Sequence, residues 1–151
     1  MTTASEMNPQ ELAEACSASM HSRDHTAQAM GIEIVDVKPG YARLTMTVRK
    51  DMLNGHQTCH GGMMFSLADT AFAHACNSYN KPTVASGCSI EYAAPGLEGD
   101  LLTAEAVERH RAGRTGVYDI TVSNQDGKEL ALFRGKSYQI KGTVLPESDS
   151  E

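Results

Sequence analysis

The sequence contains no apolar run near the ~20 residues that a membrane-spanning helix needs, and no tryptophan. Its opening stretch, "MTTASEMNPQ", has no basic segment followed by an apolar one, so nothing there reads as a signal peptide. Positive charge is also scarce. Lys and Arg number 13 against 19 Asp and Glu, for a net charge of −6 and a pI near 5.5. Such a surface does not favour nucleic acid or an anionic membrane, although a local basic patch could still hold a phosphate. The four cysteines (Cys16, Cys59, Cys76 and Cys88) include no C-x-x-C pair. Reduced thiols and a cytoplasmic protein are expected. No repeat or low-complexity tract occurs, and 40% apolar with 21% charged residues is ordinary globular composition. A chain of 151 residues can bury one real core but not two ordinary ones.

The whole chain, 1–151, therefore reads as one domain, with a helical extension over about 8–30 and a frayed polar tail over about 146–151. Asn8, Pro9 and Glu11 form a helix start of cap, first-turn proline and capping-box acid. Pro39-Gly40 marks a turn between two strand-like runs. In the second run Ala42, Leu44, Met46 and Val48 alternate with Arg43, Thr45, Thr47 and Arg49, the period of a strand with one buried face. A long helix is expected over about 61–79, with Met64, Leu67, Ala68, Ala71 and Ala75 as its inner stripe. Phe65, Phe72 and Met63 lie off the stripe, so the helix is apolar nearly all round and buried on most sides. Four consecutive strand-like stretches follow, separated by turn residues, the last two joined by "NQDGKE". The economical packing is an α+β domain, an antiparallel sheet wrapped around the central helix.

Chemistry concentrates in "NGHQTCHGG". His60-Gly61-Gly62 stands at the start of the long helix, where backbone N–H groups lack partners and carry partial positive charge. Glycine lets another group approach that backbone, so a carbonyl oxygen gaining charge would be stabilised there. The bland alternative is a tight loop that needs glycine. Asp69 sharpens the choice, because a mostly buried helix rarely keeps a lone carboxylate without a partner or a task. Gly61 and Asp69 are eight residues apart, about 12 Å along a helix. One chain cannot easily bring both to one small group, but two chains with antiparallel helices can. If both act on one substrate, the protein is at least a dimer with shared sites. Asn54 can donate to a leaving group or hold a water, or simply make a turn with Gly55. His56, Cys59 and His60 suggest a metal, but a second ligand cluster at zinc spacing is missing, so no metal is expected. Arg109, Arg111, Arg114, Arg134 and Lys136 could hold a nucleotide phosphate, against the plainer reading of a solvated strand face.

The stretches "MLNGHQTCHGGMMFSLADTAFAHACNS", "VASGCSIEYAAPGLEGDLLTAEA" and "TGVYDITVSNQDGKELALFRGKS" resemble the hotdog-fold acyl-CoA thioesterases, closest to the phenylacetate-degradation (PaaI-type) branch. The likeness runs from about Gly31 to Ile140. It implies a curved antiparallel sheet around one helix, and dimers that pair into tetramers. It implies that Gly61 polarises the thioester carbonyl and that Asp69 is nucleophile or general base. Asn54 and His60 would lie near the thioester sulfur and oxygen. Gly62, Arg134 and Lys136 are the candidate substrate-binding residues. The expected substrate is an acyl-CoA, aryl or medium-chain, with CoA part of the substrate and no separate cofactor.

Two rivals stand beside this reading. A hotdog enoyl-CoA hydratase would use Asp51 and His56, which have its Asp-x4-His spacing, but Gly55 replaces the usual proline and Asp69 is left without a role. An acyl-CoA-binding module without turnover is the other, since one fold hosts many functions.

Overall fold

The computed structural model describes residues 2–147. The frayed tail expected over 146–151 lies outside the described residues from Ser148 onward. Near the start, Ala4–Glu6 forms one 3-10 turn. Helix α1 (Pro9–Arg23) begins as its sequence dictates. The Asn8 side chain accepts the Glu11 N–H at 2.8 Å, which satisfies one end group of the helix, and donates to the Glu11 carboxylate at 2.7 Å. Asp24 caps the short α2 (His25–Ala29) by accepting the Ala27 N–H. The expected extension is thus two helices.

Strands β1 (Glu33–Lys38) and β2 (Tyr41–Thr47) follow, joined by Gly40 at φ +71°. Ala42, Leu44 and Met46 point inward and are almost fully buried, as the alternation requires. Helix α3 runs Gly61–Cys76, then β3 (Thr83–Tyr92), β4 (Leu101–Ala112), β5 (Thr115–Ser123) and β6 (Glu129–Gln139). The helix ends three residues before the expected Tyr79. The Asn77 side chain takes both the N–H and the C=O of Thr83, which turns the chain into β3 instead of prolonging the helix.

All six strands are antiparallel, in the order β1-β2-β4-β5-β6-β3. Consecutive order breaks at β3, which pairs with β6 and not with β4. It forms one edge of the sheet, and its residues are exposed or half-buried throughout. The sheet curves around α3. The whole expected stripe of α3 is buried, and so is Phe72, which packs on Tyr118 and Phe133. A methyl group on Gly135 of β6 would come within 2.8 Å of the Phe72 ring, so only glycine lets sheet and helix meet there. On the far side of α3, His74 is buried with its Nδ1 2.6 Å from Ser17 Oγ of α1. Burial, then the neighbouring His21, brings its pKa down to about 4.

Candidate active site

The loop before α3 is built by one side chain. Asn54 Oδ1 accepts the backbone N–H of His56 at 2.9 Å, the N–H of Thr58 at 3.2 Å and the Thr58 hydroxyl at 3.2 Å. Three donors on one oxygen fix which end of the amide is which. The Asn54 NH2 group has no acceptor among the described residues. The turn reading and the donor reading of Asn54 therefore hold together, because its oxygen folds the loop and its nitrogen is left for a ligand.

His60 is the N-cap of α3. Its Nδ1 accepts the Gly62 N–H at 2.9 Å, so the ring proton of the neutral imidazole sits on Nε2. Met63 N–H goes to the His60 carbonyl at 2.9 Å. The Gly61 N–H alone in this turn has no acceptor among the described residues. Each glycine answers a close approach. A methyl group at position 62 would meet the His60 ring at 3.1 Å, and one at 61 would meet the Tyr92 ring at 3.0 Å.

A cleft of about 440 Å³ opens beside this turn, lined by Asn54, Thr58, Gly61, Met64 and Tyr92 among others. A second, of about 650 Å³, lies on the α2 side and includes His25, Met30, His60 and Gly62. No motif in the sequence singles out Tyr92. Its hydroxyl donates to the Gly61 carbonyl at 2.8 Å, a contact that only the return of β3 to the start of α3 creates.

Asp69 lies two turns into α3, half-buried, about 12 Å from Gly61 along the axis. Burial, then the Asp24 charge, holds its carboxyl above the usual value of 3.8. The Asp69 charge in turn helps raise the thiols of Cys76 and Cys88. Asn54 and Gly61 are thus brought together on the first cleft, His60 and Gly62 line the second, and Asp69 is two turns away. Arg134 alternates with inward-facing Phe133 and lies on the outer face of the sheet. Two of its guanidinium nitrogens reach Asp119 at 2.7 and 2.8 Å, and Arg109 reaches the same carboxylate. Lys136 shares that outer face, so neither basic residue meets Gly61 within one chain. Asp51 does not meet His56, because both its oxygens go to Arg49 at 3.0 and 3.3 Å. Among the described residues no three potential metal ligands converge, and no helix is long and apolar enough to cross a membrane.

A long antiparallel sheet curved around one central helix is the hotdog fold. The sequence profile of the thioesterase superfamily matches residues 56–131, and the chain belongs to that superfamily. It is 55% identical over 130 residues to the acyl-coenzyme A thioesterase PaaI of Escherichia coli (strain K12), covering 86% of this chain and 93% of that relative. The solved structure of the E. coli PaaI protein from the phenylacetic acid degradation operon matches with a TM-score of 0.89 and 52% identity, over 90% of this chain and 99% of that one. The protein smu.793 from Streptococcus mutans UA159, solved bound to acetyl CoA, matches with a TM-score of 0.71 and 28% identity, over 74% and 90% of the two chains. The resemblance to the PaaI branch read from the sequence is thereby met.

Proposed function

We propose that this chain hydrolyses acyl-CoA thioesters, of aryl or phenylacetyl type, at sites shared between two copies of itself. The observation that carries the reading is the Gly61 N–H, the unpaired donor of the α3 first turn, with the unpaired Asn54 amide on the same cleft. The Gly61 N–H, backed by the helix dipole, holds the thioester oxygen. Asn54 and the His60 Nε2–H lie toward the sulfur and oxygen, and Gly62 lets the substrate pass close to the backbone. The Asp69 carboxylate of a second chain adds to the carbonyl carbon, or takes a proton from the water that does. The C–S bond breaks and CoA leaves as thiolate and gains a proton; on the first path water then hydrolyses the acyl–Asp69 anhydride, and on either path the free acid is released. The route uses no metal or redox group.

The second copy is argued from the 12 Å separation and from β3. A ten-residue edge strand with exposed Val84 and Tyr92 is a template for pairing, and α3 packs against it. Pairing of two such edges sets two α3 helices side by side, and such dimers pair into tetramers. The cytoplasm, where acyl-CoA is made and used, is the proposed compartment. A hydratase is disfavoured by the Arg49–Asp51 pair.

Proline offers a direct test. Gly61 is the first helical residue, where proline is at home, and His60 at φ −58°, ψ 132° already has the conformation that precedes proline. Gly61→Pro deletes the N–H itself. Gly61→Ala, which keeps the N–H but brings the same carbon within 3.0 Å of the Tyr92 ring, is the control for that contact and should stay well above the proline variant in turnover. Alone, Gly61→Pro should lose roughly 10²–10³ in turnover, and Asp69→Asn should be nearly dead. Co-assembled in equal amounts, the two inactive chains should recover about a quarter of wild-type thiol release, since half of the dimers are mixed and one of their two sites is whole. No recovery in assemblies of proven mixed composition would reject the shared site. Retained turnover in Asp69→Asn would reject the role of Asp69.

A further inference from the structure

Gly61 is the residue least able to hold itself still. It has no side chain, its N–H has no acceptor among the described residues, and glycine has the widest backbone freedom of any residue. A donor that must aim at a developing oxyanion gains from being fixed beforehand. The Gly61–Gly62 peptide is fixed at its N–H end by His60, which accepts the Gly62 N–H. On the other side stands Tyr92, the last residue of β3. It pairs with the buried Ala131 of β6, which turns its ring toward α3. The hydroxyl donates to the Gly61 carbonyl at 2.8 Å, an oxygen that within the helix also faces the N–H four residues on. The Tyr92 ring sits so close that a methyl group on Gly61 would come within 3.0 Å of Cζ and Oη. Yet the residue is 50% exposed, so burial of the ring is a weak reason for a tyrosine here.

We propose that Tyr92 is the positioning residue of the oxyanion donor, holding the Gly61 carbonyl, and through it the Gly61 backbone, so that the free N–H of the preceding peptide keeps one direction. The inference rests on the role of Gly61 given under Proposed function. Tyr92 supplies the restraint that a glycine side chain cannot. It also fastens the donor to the edge strand β3.

The test uses Tyr92→Phe and Tyr92→Leu in the full chain, with phenylacetyl-CoA as substrate. Tyr92→Phe should lower kcat roughly five- to tenfold, the worth of one hydrogen bond, while KM stays within about twofold. Melting temperature and assembly size should match the parent. Tyr92→Leu, which loses the ring as well, should fall further. A second readout is the infrared carbonyl stretch of bound phenylacetyl-dethia-CoA, the ketone analogue with a methylene group in place of sulfur, which cannot be hydrolysed. Its shift to lower frequency on binding should shrink in Tyr92→Phe. Unchanged kcat and an unchanged stretch would overturn the proposal. So would a fall in kcat that tracks a loss of stability or assembly while the stretch stays put. A still-active Asp69→Asn would instead strike the reading of the site, and the ketone stretch would judge Tyr92 independently.

Discussion

The imidazole of His60 accepts the Gly62 N–H at 2.9 Å, and this bond decides which N–H of the first turn is left for a ligand. With Gly62 and Met63 bonded back to His60, the Gly61 N–H remains. Removing the ring costs the cap and leaves two loose donors where one was aimed. His60→Ala should therefore lower stability by about 1 kcal/mol and lower turnover as well. His60→Ser can cap through its hydroxyl but has no ring N–H. It should regain the stability and not the turnover. Urea unfolding and thiol release on the two variants separate the effects. Full activity in His60→Ser would limit His60 to capping.

Asn54 allows a similar separation within one side chain. Its oxygen carries three hydrogen bonds of the loop, and its nitrogen carries none. Asn54→Asp keeps the acceptor and deletes the donor. The variant should fold with a melting temperature close to wild type and lose roughly 10²-fold in kcat, the scale of one transition-state donor. Asn54→Ala should lose both loop stability and kcat. Equal kcat in wild type and Asn54→Asp would remove the amide from the mechanism.

Gly135 and Phe72 set how closely the sheet approaches α3. In Gly135→Ala the new methyl group would stand 2.8 Å from three ring carbons of Phe72, in a core with no room to give. The cost should be about 1–3 kcal/mol, as for other overpacked cores. Phe72→Leu in the same chain should relieve part of it, so that the double variant loses less than the sum of the singles. Urea midpoints for the four proteins complete the cycle. Additive losses would mean that ring and methyl group do not meet.

Local features of this chain were legible in its sequence. The Asn8 cap, the alternation of Ala42, Leu44 and Met46, and the glycines at the α3 mouth each follow from chemistry within a few residues. The antiparallel sheet around one helix follows from turns and periodicity. What escaped depends on distant partners. Nothing in "TVASGCSIEY" says that β3 joins β6 at the edge of the sheet. The hydroxyl of Tyr92 reaches Gly61 only because β3 returns there. Nothing in the sequence around Arg134 says that Asp119, one strand away, pairs with it. The end of α3 was misplaced because an Asn77 side chain, not a proline or glycine, turns the chain.

Asp69 ties stability to activity, and its sign can be worked out. Burial, then Asp24, raises its pKa in the fold above 3.8, so the folded chain holds this proton more tightly than the unfolded one. Between 3.8 and the raised value stability falls as pH rises. At neutral pH the ionised carboxylate is a net cost to the fold. Asp69→Asn removes that cost and should melt higher than wild type at pH 7, with the difference shrinking in acid as wild type gains its proton. The proposed chemistry needs the anion, so kcat/KM of wild type should fall on the acid side with unit slope, through an apparent pKa above 3.8. Melting curves over a pH series, with hydrolysis followed by loss of thioester absorbance, test both halves on one preparation. A variant less stable than wild type at neutral pH would mean that the carboxylate stabilises the assembled protein. The expected result is a helix that keeps a destabilising charge because the reaction uses it, a stability given up for function.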